Sequence, residues 1–250
     1  MIAIEQVVKR YGTFTAVDDV SLAVAPGEIH GFLGPNGAGK TTTLRMIAGL
    51  LQPTAGRILV NGHDLAVDQE AAKASLGYVP DRPFIYEKLT AGEFLRFHGG
   101  LYGIDGTGIT TRVHEMLDLF ELRRWEDELV ESFSHGMKQR LVMSAAFLHR
   151  PRAVVVDEPM VGLDPRGARL IKAVFRRMSE HGVAILMSTH TLEVAEEMSH
   201  RISIINRGRI IAQGTVDEVR RLAGGGDEHF TSVFLRLTGG SGLQEIDEVV

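Results

Sequence analysis

The sequence predicts an α/β protein built on a mostly parallel sheet, and three observations carry that expectation. The short apolar run Ile29 to Leu33 leads into Gly34-Pro35-Asn36-Gly37-Ala38-Gly39-Lys40-Thr41, after which Thr42 to Leu50 reads as a helix. A second apolar run, Ala153 to Val156, ends on two acids, Asp157 and Glu158. Beyond it the chain alternates strand and helix patterns, the order that lays parallel strands side by side under crossing helices.

Taken in order, residues 1–30 read as short strands, among them Ile2 to Ile4 and Val20 to Val24, closed by the turn at Pro26-Gly27. After the first helix come a turn at Pro53 to Gly56, a strand Arg57 to Val60 and a buried strand Leu76 to Val79 stopped at Pro80. From about 83 to 150 helical periodicity takes over, in Ala91 to Leu101, Thr111 to Leu119 and Gly136 to His149, with a glycine-rich break over Gly103 to Gly108. This block interrupts the strand–helix alternation and reads as an inserted helical subdomain. The pattern resumes with helix Arg166 to His181, strand Ala184 to Met187, helix Leu192 to Met198, and strands Ile202 to Ile205 and Arg209 to Ala212. Gly224 to Gly226 reads as a hinge before a short terminal element, Phe230 to Leu237.

Composition narrows the function classes. The chain has 250 residues, 44% hydrophobic, enough for one large domain with a real core. No run approaches the roughly 18 apolar residues of a membrane span, and the N-terminus carries no secretory signal pattern. Cysteine is absent, which excludes disulfides and thiolate metal sites. A net charge of −5 with no long basic block argues against nucleic acid as a partner.

Gly34 to Thr41 has the P-loop spacing. Its glycines let successive backbone N–H groups point inward at phosphate oxygens, and the following helix N-terminus adds donors and a positive dipole end. Lys40 is expected to reach the β- and γ-phosphates, and the Thr41 hydroxyl to hold Mg²⁺. The chain is therefore expected to bind a nucleoside triphosphate. Asp157 and Glu158 end a buried strand, on the sheet edge where α/β proteins bind ligands. Asp157 is expected to serve the metal and Glu158 to act as a base that polarises an attacking water.

Asp157-Glu158-Pro159 is followed by Gly162-Leu163-Asp164-Pro165 and preceded by Phe133-Ser134-His135-Gly136-Met137-Lys138-Gln139-Arg140. With these residues the chain resembles the ATP-binding subunits of ABC transporters, from about Ile2 to Leu222. The resemblance implies a P-loop NTPase (RecA-like) core with an N-terminal antiparallel β subdomain and the helical subdomain inserted at about 83–150. Residues 1–222 would then be the ATPase domain and 223–250 a short extension. It makes Gly34 to Thr42 the Walker A loop, and Val154 to Glu158 the Walker B strand. Ser134, His135, Gly136 and Met137 become the signature, Asp164 part of the D-loop, and His190 the switch histidine. Tyr11 falls where the family stacks an aromatic on adenine.

Two of these positions also make chemical sense. Ser134 and the N–H groups from Gly136 onward open a helix, a second anion site; alone, the same residues would read as a plain helix cap. His190 follows an apolar strand, so a neutral imidazole there meets the ligand edge. In the family two subunits meet head to tail, each ATP lying between one P-loop and the opposite signature. The partner is either a second copy or a related chain.

The departures bear on rate. Asp81 stands where the family has glutamine, and an ionised aspartate accepts but does not donate. It is still expected to touch Mg²⁺, directly or through water. His135 replaces a glycine of the signature and Met137 its glutamine. Hydrolysis is expected to be retained but slow. Phe84, Ile85 and Tyr86, with Phe94, Phe97 and Tyr102, concentrate aromatics where the family receives a helix of its transmembrane permease subunit. The expected role is a peripheral ATPase at the cytoplasmic face of the membrane, of the exporter type. The alternatives are a soluble ABC-type ATPase outside transport and a slow nucleotide-sensing module.

Overall fold

The structure is a computed structural model that describes residues 1–82, 84–222 and 229–239. In chain order it comprises β1 (Ile2–Tyr11), β2 (Phe14–Val24), β3 (Ile29–Leu33), α1 (Lys40–Ile47), β4 (Ala55–Val60), β5 (His63–Asp64), α2 (Gln69–Ala74) and β6 (Leu76–Val79). The helical block follows: α3 (Ala91–Leu101), α4 (Gly106–Leu119) and α5 (His135–Phe147). After it come β7 (Ala153–Asp157), α6 (Pro165–Glu180), β8 (Ala184–Thr189), α7 (Leu192–Met198), β9 (Arg201–Asn206), β10 (Arg209–Gly214), α8 (Val216–Leu222) and α9 (Phe230–Thr238).

Uninterrupted apolar runs form the centre. Every residue of β3, β7 and β8 is buried, as parallel strands covered on both faces require. They sit together in one sheet of order β10-β9-β3-β8-β7-β6, parallel except for the β9–β10 hairpin. Alternation along β7 divides its side chains between two cores. Val154 and Val156 join the core of the helical block and α6, whereas Ala153 and Val155 join the core built with α1 and the first strands. That second core is closed by an antiparallel sheet of order β2-β1-β4-β5, so α1 is packed between two sheets. The α/β class with a mostly parallel sheet and an N-terminal antiparallel sheet is thus as expected.

The local differences have physical reasons. The first two strands run ten and eleven residues rather than a few. Register shifts flank Gln6 and Lys9 and break the alternation that would have marked their length. α4 starts at Gly106, inside the expected glycine-rich break, which shortens to Gly103 through Asp105. The short α2 buries a single residue, Ala72, so it carries no apolar stripe to read. The hinge expected at Gly224 to Gly226 lies outside the described residues, as does most of the extension after Leu222.

Two buried histidines brace the scaffold. His30, fully buried in β3, lies 2.8 Å from the Ser203 hydroxyl of β9 and 2.9 Å from the Glu28 carboxylate. It holds the strand that enters the P-loop to its neighbour. His149, after α5, stacks on Tyr102 at 3.7 Å and its Nε2–H donates to the Leu76 carbonyl at 3.1 Å. Nδ1 is then left as a buried acceptor without a partner. Burial pushes the imidazole down to about 4, against the opposing pull of the Leu76 carbonyl. The unfolded chain therefore takes up this proton first, and stability present above about pH 6.5 is lost as pH falls toward 4. His149→Gln, which keeps a donor for Leu76, should lose about 2 kcal/mol less stability between pH 7 and pH 5. Urea unfolding at pH 7 and pH 5 measures the difference.

Candidate nucleotide site

The carboxyl ends of three adjacent strands create the site. In the order β3-β8-β7, Leu33 pairs with Thr189 and Asp157 with Ser188. The residues that follow each strand, Gly34, His190 and Glu158, are thereby delivered to one edge.

The loop from Gly34 to Gly39 turns tightly against β9 and β2. A Cβ at Gly34 would run into the Ile205 carbonyl. Gly39 has φ +111°, and a Cβ there would stand 2.7 Å from the Ala16 carbonyl. Pro35, Asn36 and Gly37 are exposed at the tip, Ala38 is buried beneath it, and Thr42 is half-buried one residue after Thr41. α1 begins at Lys40 itself, two residues earlier than expected, so the donors at its start face the loop. Lys40 as a residue is only 8% exposed, and its ammonium donates to the carbonyls of Gly34 at 2.6 Å and Pro35 at 3.2 Å. Burial pulls its pKa down, and the carboxylates of Glu158 and Asp157 oppose that pull.

Asp157 is nearly fully buried and its two oxygens are both engaged. The Thr41 hydroxyl donates to Oδ2 at 2.9 Å and the Ser188 hydroxyl donates to Oδ1. A carboxylate beside a threonine hydroxyl at a P-loop is a hard-oxygen donor set that suits a divalent cation. Ser188 has no role in the sequence reading. It lies at the end of an apolar strand, but only the β7–β8 pairing identifies its partner.

Glu158, the next residue, adopts φ +52°, a sparsely populated conformation for a residue with a side chain. Its Oε1 lies 2.8 Å from His190 Nδ1, with the glutamate largely covered and the imidazole exposed. These two sequence-predicted groups are thus in contact. Asp81 is half-exposed, and its carboxylate is 3.9 Å from Arg82 Nε. The Tyr78 hydroxyl is pushed up by burial, then by Asp157, and to a lesser degree by Asp81, so both acids bear on one neighbourhood. Tyr11 ends β1 half-exposed, with the Lys9 ammonium 5.1 Å from its ring centroid.

Ser134 caps α5, its hydroxyl accepting from the Met137 N–H at 3.3 Å. The plain-cap geometry is therefore present, and the hydroxyl proton remains a donor. Met137 is half-buried against the helical core. The His135 imidazole lies directly over Gly162, whose φ is +76°, and Gly136 faces the Gly162 carbonyl. Asp164 caps α6, its Oδ1 accepting from the Gly167 N–H at 2.9 Å, with Pro165 at the first helical position. The turn that opens α5 and the loop before α6 are thus packed together within one chain. Gly162→Ala forces both a strained φ and a clash with the His135 ring. It should destabilise the protein by about 1–3 kcal/mol. Adding His135→Gly should recover the steric part only, as read by thermal unfolding of the two variants.

Phe84 is 92% exposed, and half-exposed Tyr86 and Phe97 meet edge-on with ring centroids 5.4 Å apart. Ile85 is partly buried beside them. Phe94, from the same aromatic group, is fully buried and belongs to the core.

Comparison with known proteins places the chain in a family. The family described as "ABC transporter" matches residues 17–161. The daunorubicin resistance ATP-binding protein DrrA3 of Streptomyces coeruleorubidus is 38% identical over 90% of this chain and 71% of its own length. The probable multidrug ABC transporter ATP-binding protein YbhF of Escherichia coli (strain K12) is also 38% identical, over 88% of this chain; the match spans only 38% of that longer protein. A solved ATP-binding subunit of an ABC transporter superimposes with a TM-score of 0.89 at 34% identity, covering 95% of this chain and 99% of that one. The chain belongs to the ABC transporter family as an ATP-binding, ATP-hydrolysing subunit.

Proposed function

We propose that this chain is the ATPase subunit of an exporter, working at the cytoplasmic face of the membrane on separate transmembrane permease subunits. The observation that carries the reading is the convergence of Thr41, Asp157, Glu158 and His190 beside the Gly34 to Thr42 loop. No helix among the described residues is long and apolar enough to cross a membrane, which is compatible with permease subunits as other chains. DrrA3, named for drug resistance, supports the outward direction.

In this reading Lys40 leaves its loop carbonyls for the β- and γ-phosphates, and Thr41 and Asp157 would hold Mg²⁺, with Asp81 contributing directly or through water. The ion, when bound, neutralises charge on the phosphate oxygens. Tyr11 stacks on the adenine. Glu158 accepts the proton of the attacking water, and His190 orients that carboxylate through the 2.8 Å contact and meets the γ-phosphate. Ser134, His135, Gly136 and Met137 form the second half-site, supplied to the ATP of a head-to-tail partner, with Asp164 bordering it. The helical block at 83–150 is the inserted subdomain, and Phe84, Ile85 and Tyr86 are its permease-docking edge. Asp81 adds negative charge near the triphosphate, and His135 narrows the half-site, so turnover is slow.

Glu158→Gln removes the base while keeping size and shape. Phosphate release should fall by about 10²–10⁴-fold with nucleotide still bound; undiminished turnover would reject the assignment. A photocrosslinker placed at Phe84 or Tyr86 in cells should capture a multi-span membrane protein. Capture of soluble proteins alone would favour an ATPase outside transport.

A further inference from the structure

Ser188 is the last but one residue of β8, fully buried after the apolar residues Ala184 to Met187. A hydroxyl in that setting is costly unless it is hydrogen-bonded. Its two polar groups meet the two neighbouring acids. The Oγ–H donates to Asp157 Oδ1, and the Ser188 carbonyl accepts the Glu158 N–H at 3.1 Å. Side chain and backbone therefore serve different acids, and losing the hydroxyl removes only the bond to Asp157.

The parallel register sets Asp157 against Ser188, as it sets Val155 against Leu186. Val155 and Leu186 lie in the core built with α1, and alternation carries the same row on to Asp157 and Ser188 at the sheet edge. Thr41, in the first turn of α1, meets Asp157 Oδ2 at 2.9 Å. A carboxyl group turns easily about its last torsion, which is broad rather than sharply staggered. With Thr41 as sole partner, its plane would be held at one oxygen only. Ser188 holds the other oxygen from the neighbouring strand, so its bond does not compete with a cation shared by Thr41 and Oδ2.

We propose that Ser188 is a positioning residue that presets the Asp157 carboxylate for a divalent cation, and so sets how much Mg²⁺ the chain needs to hold ATP. The proposal rests on the assignment of Thr41 and Asp157 to Mg²⁺ given above. Residues that touch a metal ligand rather than the metal typically govern about 10- to 100-fold in metal affinity. A hydroxyl needed only to satisfy a buried charge would behave differently. Its loss would weaken the fold, and nucleotide binding with it, whether or not the metal is present.

The test uses the full chain carrying Glu158→Gln, which suppresses turnover, with the fluorescent analogue mant-ATP as probe. Binding is titrated with MgCl₂ and repeated in EDTA, and thermal unfolding checks that each variant is folded. Ser188→Ala should raise the Mg²⁺ midpoint about 10- to 100-fold, with the loss confined to the metal-dependent part of binding. Ser188→Thr, which restores a donor on a side chain suited to a strand, should return the midpoint toward the parent value. Ser188→Cys, close to serine in shape but a weak donor, should also raise it and carries the test should the alanine variant fail to fold. An unchanged midpoint, an equal loss with and without Mg²⁺, or a threonine variant as impaired as the alanine one would each overturn the proposal. Asp157→Asn separates this outcome from the metal assignment itself. A raised midpoint there with none in Ser188→Ala rejects the role of Ser188 alone. No shift in Asp157→Asn rejects the metal reading, and the role of Ser188 with it.

Discussion

The Asp157 carboxylate is the constraint on which the site depends. It is buried at the end of β7, where an unpaired charge would be costly, and two hydroxyl donors satisfy it. One donor, Thr41, lies in the first turn of the P-loop helix; the other, Ser188, lies near the end of the neighbouring strand. A single side chain therefore fixes the distance between loop, central strand and the strand that carries His190. Charge-assisted hydrogen bonds of this kind are about twice as strong as neutral ones, and two of them triangulate a position. The same carboxylate opposes the burial-driven fall of the Lys40 pKa, so one buried acid supports both geometry and charge.

Around that point the strain is local. Glu158 takes a left-handed backbone immediately after the buried strand, and this turns its carboxylate toward His190 rather than along the strand direction. The loop glycines accommodate close backbone approach at Gly34 and a positive φ at Gly39. Such conformations persist because β3, β7 and β8 are buried at every residue and cannot relax. Farther out, His135 over Gly162 and Lys138 against Glu87 tie the turn that opens α5 to its two neighbours. The turn is held between them as part of a continuous body rather than as a free loop.

Much of this was legible before any coordinates. β3, β6, α3 and α7 fall where the apolar patterns place them, because a run of buried apolar residues or a helical period is carried by neighbouring residues. Thr90 with Glu93 forms a capping box at the start of α3. The length of β1 and β2 was not legible, since their register shifts erase the period-two pattern. Nor was the division of the aromatics: Phe94 and Phe97 are three residues apart on α3, yet one is core and the other surface. Their type is the same; only the packing of α4 and α5 on one side of α3 separates them.

The linear order of residues thus settled which groups are present, namely a glycine-rich loop with Lys40 and Thr41, two acids after a valine strand, and a helix opening at Ser134. These signals are local, carried by spacing and by what each side chain can donate or accept. Their adjacency is another matter. That Ser188 meets Asp157, that His190 meets Glu158 and that Glu87 meets Lys138 depends on strand order and on the ladder between 87–92 and 126–131. Those contacts span from 31 to 51 positions of sequence, and no local periodicity encodes them. The first two exist because the order β3-β8-β7 sets Asp157 beside Ser188 and Glu158 beside His190 at one sheet edge, and the third because the ladder brings the two ends of the helical block together.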